Sequence, residues 1–248
     1  MSFLSRLLFP PKCAACKVLL DWYETDGVTA LCPSCAEKWI AEKNVTCGIC
    51  GKKVTLCNCV TEEMRKAKCA GFRKLTYYQG RTREPVPNRL IYHIKESRSA
   101  QTHAFLAKEL QAAVGDLLPC AEDRQNTVLT YVPRSRSAKM RYGTDQAEEL
   151  ARALAKVTNL PCRRLIRRAS TQSGEQKTLS ASARLKNATH SFVLSRGVDV
   201  RGKTVVLVDD IVTTGASMAT CTRLLRHVGA QQVYCLSIAS NDVNREIT

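Results

Sequence analysis

Nine of the thirteen cysteines lie between Cys13 and Cys69, most of them in close pairs. Cys13-x-x-Cys16 and Cys32-x-x-Cys35 each bring two thiolates within reach of one ion. The loop between the pairs is long enough for four sulfurs to close a tetrahedron. A second set follows: Cys47-x-x-Cys50-Gly51, then Cys57-x-Cys59, then Cys69. Cys47 and Cys50 are firm ligands, and two of Cys57, Cys59 and Cys69 complete the site. A C-x-C spacing shares one ion awkwardly though feasibly, which makes Cys59 with Cys69 a live option. Residues 1–71 contain no histidine. Catalytic zinc keeps a position open for water and favours histidine or carboxylate, so both sites are expected to hold structural Zn²⁺.

The second constellation is Thr204-Val-Val-Leu-Val-Asp-Asp-Ile-Val-Thr-Thr-Gly-Ala-Ser217. An apolar strand, Thr204–Val208, runs into Asp209 and Asp210, where an open parallel sheet places its ligands. Thr213, Thr214, Gly215 and Ser217 then offer hydroxyls and backbone N–H groups at the start of a helix, which is how a chain cradles a phosphate. Carboxylates that accept from sugar hydroxyls, beside a phosphate cradle, suit a ribose 5-phosphate unit. Capping of the following turn accounts for one acidic residue but not for two. The loop lacks the lysine of a P-loop, so nucleoside triphosphate hydrolysis fits poorly.

Elements that position these residues follow from periodicity. Residues up to about Gly71 read as turns around metal pairs, with a brief helix at Ser34–Lys43. A module this small has little apolar core, so bound metal would supply most of its folding energy. Beyond it, strands are expected at Phe72–Tyr78, Thr127–Val132, Thr204–Val208 and Gln232–Ile238. Helices are expected at Pro87–Lys95, His103–Val114, Gln146–Lys156 and Ala216–Val228. The strand–loop–helix–strand unit at the end implies an α/β fold with a mostly parallel sheet and flanking helices. The predicted domains are thus 1–71, a cysteine-rich double zinc-ribbon-like module, and 72–248.

Charge sharpens the division. The net charge is +16. Residues 1–72 hold ten Lys and Arg against seven Asp and Glu, leaving +13 of the excess on residues 73–248. Arg134, Arg136, Lys139 and Arg141 form an acid-free run just after the Thr127–Val132 strand, and guanidinium groups match phosphate oxygens bidentately. Arg163, Arg164, Arg167 and Arg168 form a second patch, read as a lid, a solvated face or a nucleic-acid contact. The N-terminal MSFLSRLLFPPKC carries Arg6 within its apolar run and no small-residue cleavage site, unlike an export signal or a membrane span. Paired thiols without such a signal point to a reducing, cytoplasmic setting.

Segment 205–217 resembles the ribose-phosphate motif of type I phosphoribosyltransferases, and the whole chain resembles the ComF family. Lys95 matches a lysine after the first helix, and Val132-Pro133 matches the strand end before the diphosphate loop. Gly143 and Gln146 match the ends of the family's G-F-N-Q. Gln176, Leu179, Arg184, Asn187 and Phe192 match a further run. The chain departs from R-G-F-N-Q with Tyr142-Gly143-Thr144-Asp145-Gln146, which loses an arginine and gains an acid where diphosphate binds.

The resemblance implies binding of phosphoribosyl diphosphate with Mg²⁺. Asp209 and Asp210 would act on the ribose, and Thr213, Thr214, Gly215 and Ser217 on the 5-phosphate. Lys95, Arg134, Arg136, Lys139 and Arg141 would face the diphosphate. It also implies a role in DNA uptake, with single-stranded DNA or a protein of the competence machinery as partner. Phosphoribosyl transfer to an acceptor and binding without turnover both stay open at this point.

Overall fold

A computed structural model describes residues 10–20, 29–80, 82–97, 99–135, 139–141, 143–169 and 191–241. Four strands form one sheet in which every neighbouring pair is parallel: β1 (Gly71–Tyr78), β2 (Thr127–Tyr131), β5 (Thr204–Val212) and β6 (Gln232–Asn241), in the order β1-β6-β5-β2. Residues 161–163 run beside β2 through a parallel bridge at Leu129 and Cys162. β3 (Ile166–Arg168) and β4 (Phe192–Leu194) form a separate antiparallel pair. Continuous apolar runs such as Val205–Val208 fit strands that are covered on both faces.

One face of the sheet carries α3 (Val86–Glu96), α4 (Ala100–Leu117) and α6 (Gln146–Thr158). Leu90, Leu106, Leu110, Leu150 and Leu154 pack there against Val206 and Val208. α6 shows how the sequence sets this face. Ala147, Leu150, Ala151 and Leu154 recur at helical spacing and are all buried, while Glu148 and Glu149 sit in the first turn, where the helix dipole favours acids. α7 (Ala216–His227) covers the other face with Met218, Cys221 and Leu225. The short α5 (Ala121–Gln125) buries no residue.

The cysteine-rich residues dock on both faces. α1 (Pro33–Lys43) opens on a proline suited to its first turn and buries Cys35 and Trp39. Trp39 Nε1 donates to Glu109 Oε2 of α4 at 2.7 Å, and Lys43 Nζ reaches the same oxygen at 2.5 Å. Cys13, Ala14, Leu31 and Cys35 belong to the core that holds Leu90 and Leu106. α2 (Glu62–Lys66) instead places Met64 in the α7 core.

The expected strands and helices are present, and two differences bear on the site: α2 forms where only turns are expected, and β5 is longer. β5 does not end before the aspartates. It pairs with β6 through Asp209–Ser237, Ile211–Ala239 and Val212–Ser240, so both carboxylates are carried on the strand itself.

Candidate functional site

Successive residues on a strand point to opposite faces of the sheet, and this separates the two carboxylates. Asp210 is buried on the α3 side. Its Oδ2 lies 2.5 Å from Arg134 Nη2 and 3.6 Å from Lys95 Nζ. Burial opposes its charge, but Lys95 and Arg134 overcome that opposition and hold its carboxyl below the usual range. Asp209 looks toward α7 and lines a recess with Thr213, Thr214, Gly215, Ser217 and Met218. Burial, and then the neighbouring charge of Asp210, push its carboxyl well above the usual range. The pair is therefore electrostatically asymmetric: two cations favour the charge of Asp210, whereas burial and its neighbour disfavour that of Asp209.

The loop after β5 has the form of an anion cradle. Thr213 and Thr214 are exposed, and Gly215 caps α7 with φ +79°, a left-handed conformation that favours glycine. The first N–H groups of a helix have no partner within it and carry its positive end. Those of α7 open beside the threonine hydroxyls. Thr214 Oγ1 already accepts from Ala216 N at 3.4 Å.

Of the basic run, Arg134 follows β2 and pairs with Asp210. Lys139 Nζ lies 2.9 Å from Asp145 Oδ2 and 3.9 Å from Glu148 Oε2. Arg141 is exposed, and Arg136 lies outside the described residues. Asp145, the departure from the family pattern, is buried and accepts from Arg134 N at 3.0 Å. Its charge is answered by Lys139 and by a backbone amide. It ties the loop together.

Arg168, assigned with its neighbours to a mobile or solvated patch, is half-buried. Its Nε donates to Pro133 O at 3.0 Å, and its guanidinium stacks 4.1 Å from the Phe192 ring centre. Burial lowers its affinity for its proton, and the charge of Asp209 acts in the opposite sense. Of the motif residues between 176 and 187, none is among those described.

Eight of the thirteen cysteines gather into two groups of four, Cys13, Cys16, Cys32 and Cys35, and Cys47, Cys50, Cys57 and Cys59, with the sulfurs of each group within 4.8 Å of one another. A Zn–S bond of about 2.3 Å sets a tetrahedral S···S edge of about 3.8 Å. The 3.6 Å between Cys16 Sγ and Cys32 Sγ fits that edge and is far beyond a disulfide bond of about 2.05 Å.

Ionisation within the groups is uneven. Burial opposes it at Cys47, yet the Tyr77 hydroxyl and the N–H groups of Cys50 and Ile49 bring that thiol down to about 6. Cys59 is pushed up to about 12 by burial and by its sulfur neighbours. Four thiolates this close need a cation, and soft sulfur donors suit zinc. Buried Lys74 Nζ donates to Cys57 Sγ at 3.4 Å, a positive charge beside a site whose four thiolates outweigh a divalent ion.

The expectation of Cys69 as a ligand is corrected. Its Sγ lies 3.4 Å from Cys235 Sγ and 3.2 Å from Gly71 O. Ala70 N donates to Val233 O, so the chain has already joined the sheet at Cys69 and carried it away from the cluster. Cys57 takes the fourth place, so the C-x-C pair does share a site.

A parallel sheet whose carboxylate-bearing strand leads into an anion cradle defines a phosphoribosyltransferase-like domain, and the model of the "Phosphoribosyl transferase domain" family matches residues 140–246. The DNA utilization protein YhgH of Escherichia coli O6:H1 is 32% identical over 164 residues, covering 61% of this chain and 67% of that protein. Competence protein F of Haemophilus influenzae is 26% identical over 151 residues, covering 60% and 66%. The chain belongs to this ComF/YhgH family, and the matches span about two thirds of those relatives' length. A ribose-phosphate pyrophosphokinase of Nostoc sp. is 58% identical over 36 residues, 14% of this chain and 11% of that protein. Among the described residues, no helix is long and apolar enough to cross a membrane.

Proposed function

We propose that the chain binds phosphoribosyl diphosphate together with Mg²⁺, in the cytoplasm, in the handling of incoming DNA. The single observation that carries this reading is Asp209 lining one recess with Thr213, Thr214, Gly215 and Ser217. Thr213, Thr214, Ser217 and the α7 amides hold the 5-phosphate. Asp209 and Asp210 accept hydrogen bonds from the ribose hydroxyls. Lys95, Arg134, Arg136, Lys139 and Arg141 meet the diphosphate, whose oxygens take over Arg134 and Lys95 from Asp210. Mg²⁺ takes hard oxygen donors and neutralises diphosphate charge. The carboxylates at Asp209 and Asp210 suit it, whereas the sulfur clusters do not.

In the catalytic version of this reading, the bond between the anomeric carbon and diphosphate breaks, and its electron pair leaves with diphosphate. A lone pair of the acceptor forms the new bond, and the acceptor's proton passes to solvent. Asp209 and Asp210 stabilise the positive charge that develops on the sugar. Calorimetry with phosphoribosyl diphosphate and Mg²⁺ tests the binding. Heat with the full ligand and with ribose 5-phosphate is expected, and silence toward both and toward adenosine monophosphate sinks the reading. Release of diphosphate in the presence of an acceptor separates transfer from binding alone.

The names of the relatives support a link to DNA, and the +13 charge of residues 73–248 supports polyanion contact. Single-stranded DNA is expected to compete with phosphoribosyl diphosphate for the basic loop. Each phosphate contact is worth about one unit of salt slope. Binding of DNA unaffected by saturating sugar diphosphate would move its contact to Arg163–Arg168 or to the cysteine module.

A further inference from the structure

Gly215 opens the helix of the phosphate loop, and behind it stands a wall supplied by the cysteine-rich residues. A Cβ placed on Gly215 would overlap Thr61 Oγ1 and come within 3.0 Å of Met64 Cγ and 3.1 Å of its Sδ. The loop backbone thus rests directly on the first turn of α2. That helix has five residues, whereas isolated helices need roughly 12–15 to hold together in water. Its anchors must hold it.

One anchor is the second cysteine cluster, since Cys57 and Cys59 belong to it and Thr61 begins the helix two residues on. Asn58, between those two ligands, accepts from Phe72 N at 2.8 Å and fixes the segment to β1. On the far side, Met64 is fully buried against the α7 core, and Glu63 lies 3.5 Å from Arg223 of α7. The first cluster packs on the opposite face, with α3 and α4.

We infer that the second four-cysteine cluster sets the shape of the phosphate loop, with Thr61 and Met64 as positioning residues for the 5-phosphate of the bound sugar. The inference deepens the sugar-phosphate reading and rests on it. A metal held by Cys47, Cys50, Cys57 and Cys59 keeps the wall rigid. The wall holds the Thr213–Ser217 backbone in place at the start of α7. Loss of that metal loosens the loop without touching a residue that contacts the ligand.

The test compares wild-type protein, Met64→Ala and Cys59→Ser by calorimetry with ribose 5-phosphate and with inorganic diphosphate, and by amide exchange. Met64→Ala is expected to weaken ribose 5-phosphate about tenfold, because misplacement of a binding group by an ångström is enough for such losses. Diphosphate affinity should stay as it was, since that ligand meets the other loop, and a general loss of fold would lower both. In Cys59→Ser, exchange over residues 212–218 should quicken about tenfold while exchange over Thr127–Tyr131 holds steady. Unchanged ribose 5-phosphate affinity in Met64→Ala, or unchanged exchange at 212–218 in Cys59→Ser, overturns the inference. Silence of the wild-type protein toward ribose 5-phosphate, phosphoribosyl diphosphate and adenosine monophosphate alike fells the sugar-phosphate reading separately, and the exchange comparison still decides whether the cluster sets the loop.

Discussion

Asp209 and Asp210 are adjacent in the chain and belong to different faces, and their variants should differ accordingly. Asp210→Asn strips a buried partner from Arg134 and Lys95, and breaking such a pair removes about 3–5 kcal/mol. Asp209→Asn removes the charge that burial and Asp210 both disfavour, so its stability should change by less than about 1 kcal/mol or rise. Urea denaturation of the two variants checks this, and equal losses would contradict it. His93 gives a pH dependence. Burial, and then the charge of Lys17, lower its pKa from 6.5 to about 4, with Glu96 opposing. Its Nδ1 lies 3.1 Å from Thr102 Oγ1. As pH falls below about 6.5 the unfolded chain takes up a proton there that the folded chain refuses until about pH 4. Stability is therefore lost across that window and is full above it. His93→Gln should flatten the fall in urea midpoint between pH 7 and pH 5, and an unchanged slope would assign the fall elsewhere. The residue types at both constellations were readable because their chemistry is local: C-x-x-C pairs and an acidic doublet on an apolar run. Cys57 in place of Cys69 was not readable, because the choice depends on where the chain enters the sheet.

At the scale of elements, periodicity located the four strands of the parallel sheet and helices α1, α3, α4, α6 and α7 to within a few residues, since burial of one face writes itself into spacing, while the short α2, α5, β3 and β4 left no such pattern. The continuation of β5 through Asp209–Val212 was hidden, because polar residues in a strand look like its end unless the partner strand is known. Packing between distant segments left no local mark either. The support of Gly215 by Thr61 and Met64 joins residues some 150 positions apart. Gly215→Ala tests that packing: a side chain there faces both a left-handed backbone and the α2 wall. The variant should be destabilised by about 1–3 kcal/mol, read as a lower urea midpoint. A wild-type midpoint would mean that the loop has room to spare. The basic run carries a similar lesson. Arg134 and Lys139 have no acid between them in sequence, yet the fold sets Asp210 and Asp145 against them.

Across the whole molecule, the proposed boundary between 71 and 72 divides compositions, while the packing runs through it: Cys13, Cys35 and Trp39 share a core with Leu90 and Leu106. Two zinc ions per chain are expected by elemental analysis. Cys13→Ser, with one ion lost, should lower the thermal midpoint of the chain in a single transition. Two separate transitions, with the later one unmoved, would show that the module melts alone. The order of the sheet has a consequence for synthesis. β6 lies between β1 and β5 and, among the described residues, is the only strand that β1 pairs with in this sheet. When a ribosome has delivered β1, its hydrogen-bonding edge has no neighbour until residues 232–241 emerge, more than 150 residues later. At roughly 5–20 residues per second that is a wait of order ten seconds, with apolar strand edges open. The cysteine clusters, finished by residue 59, can take up metal during that interval. The nascent chain would then hold its earliest segment in shape by coordination while the centre of its sheet is still being translated.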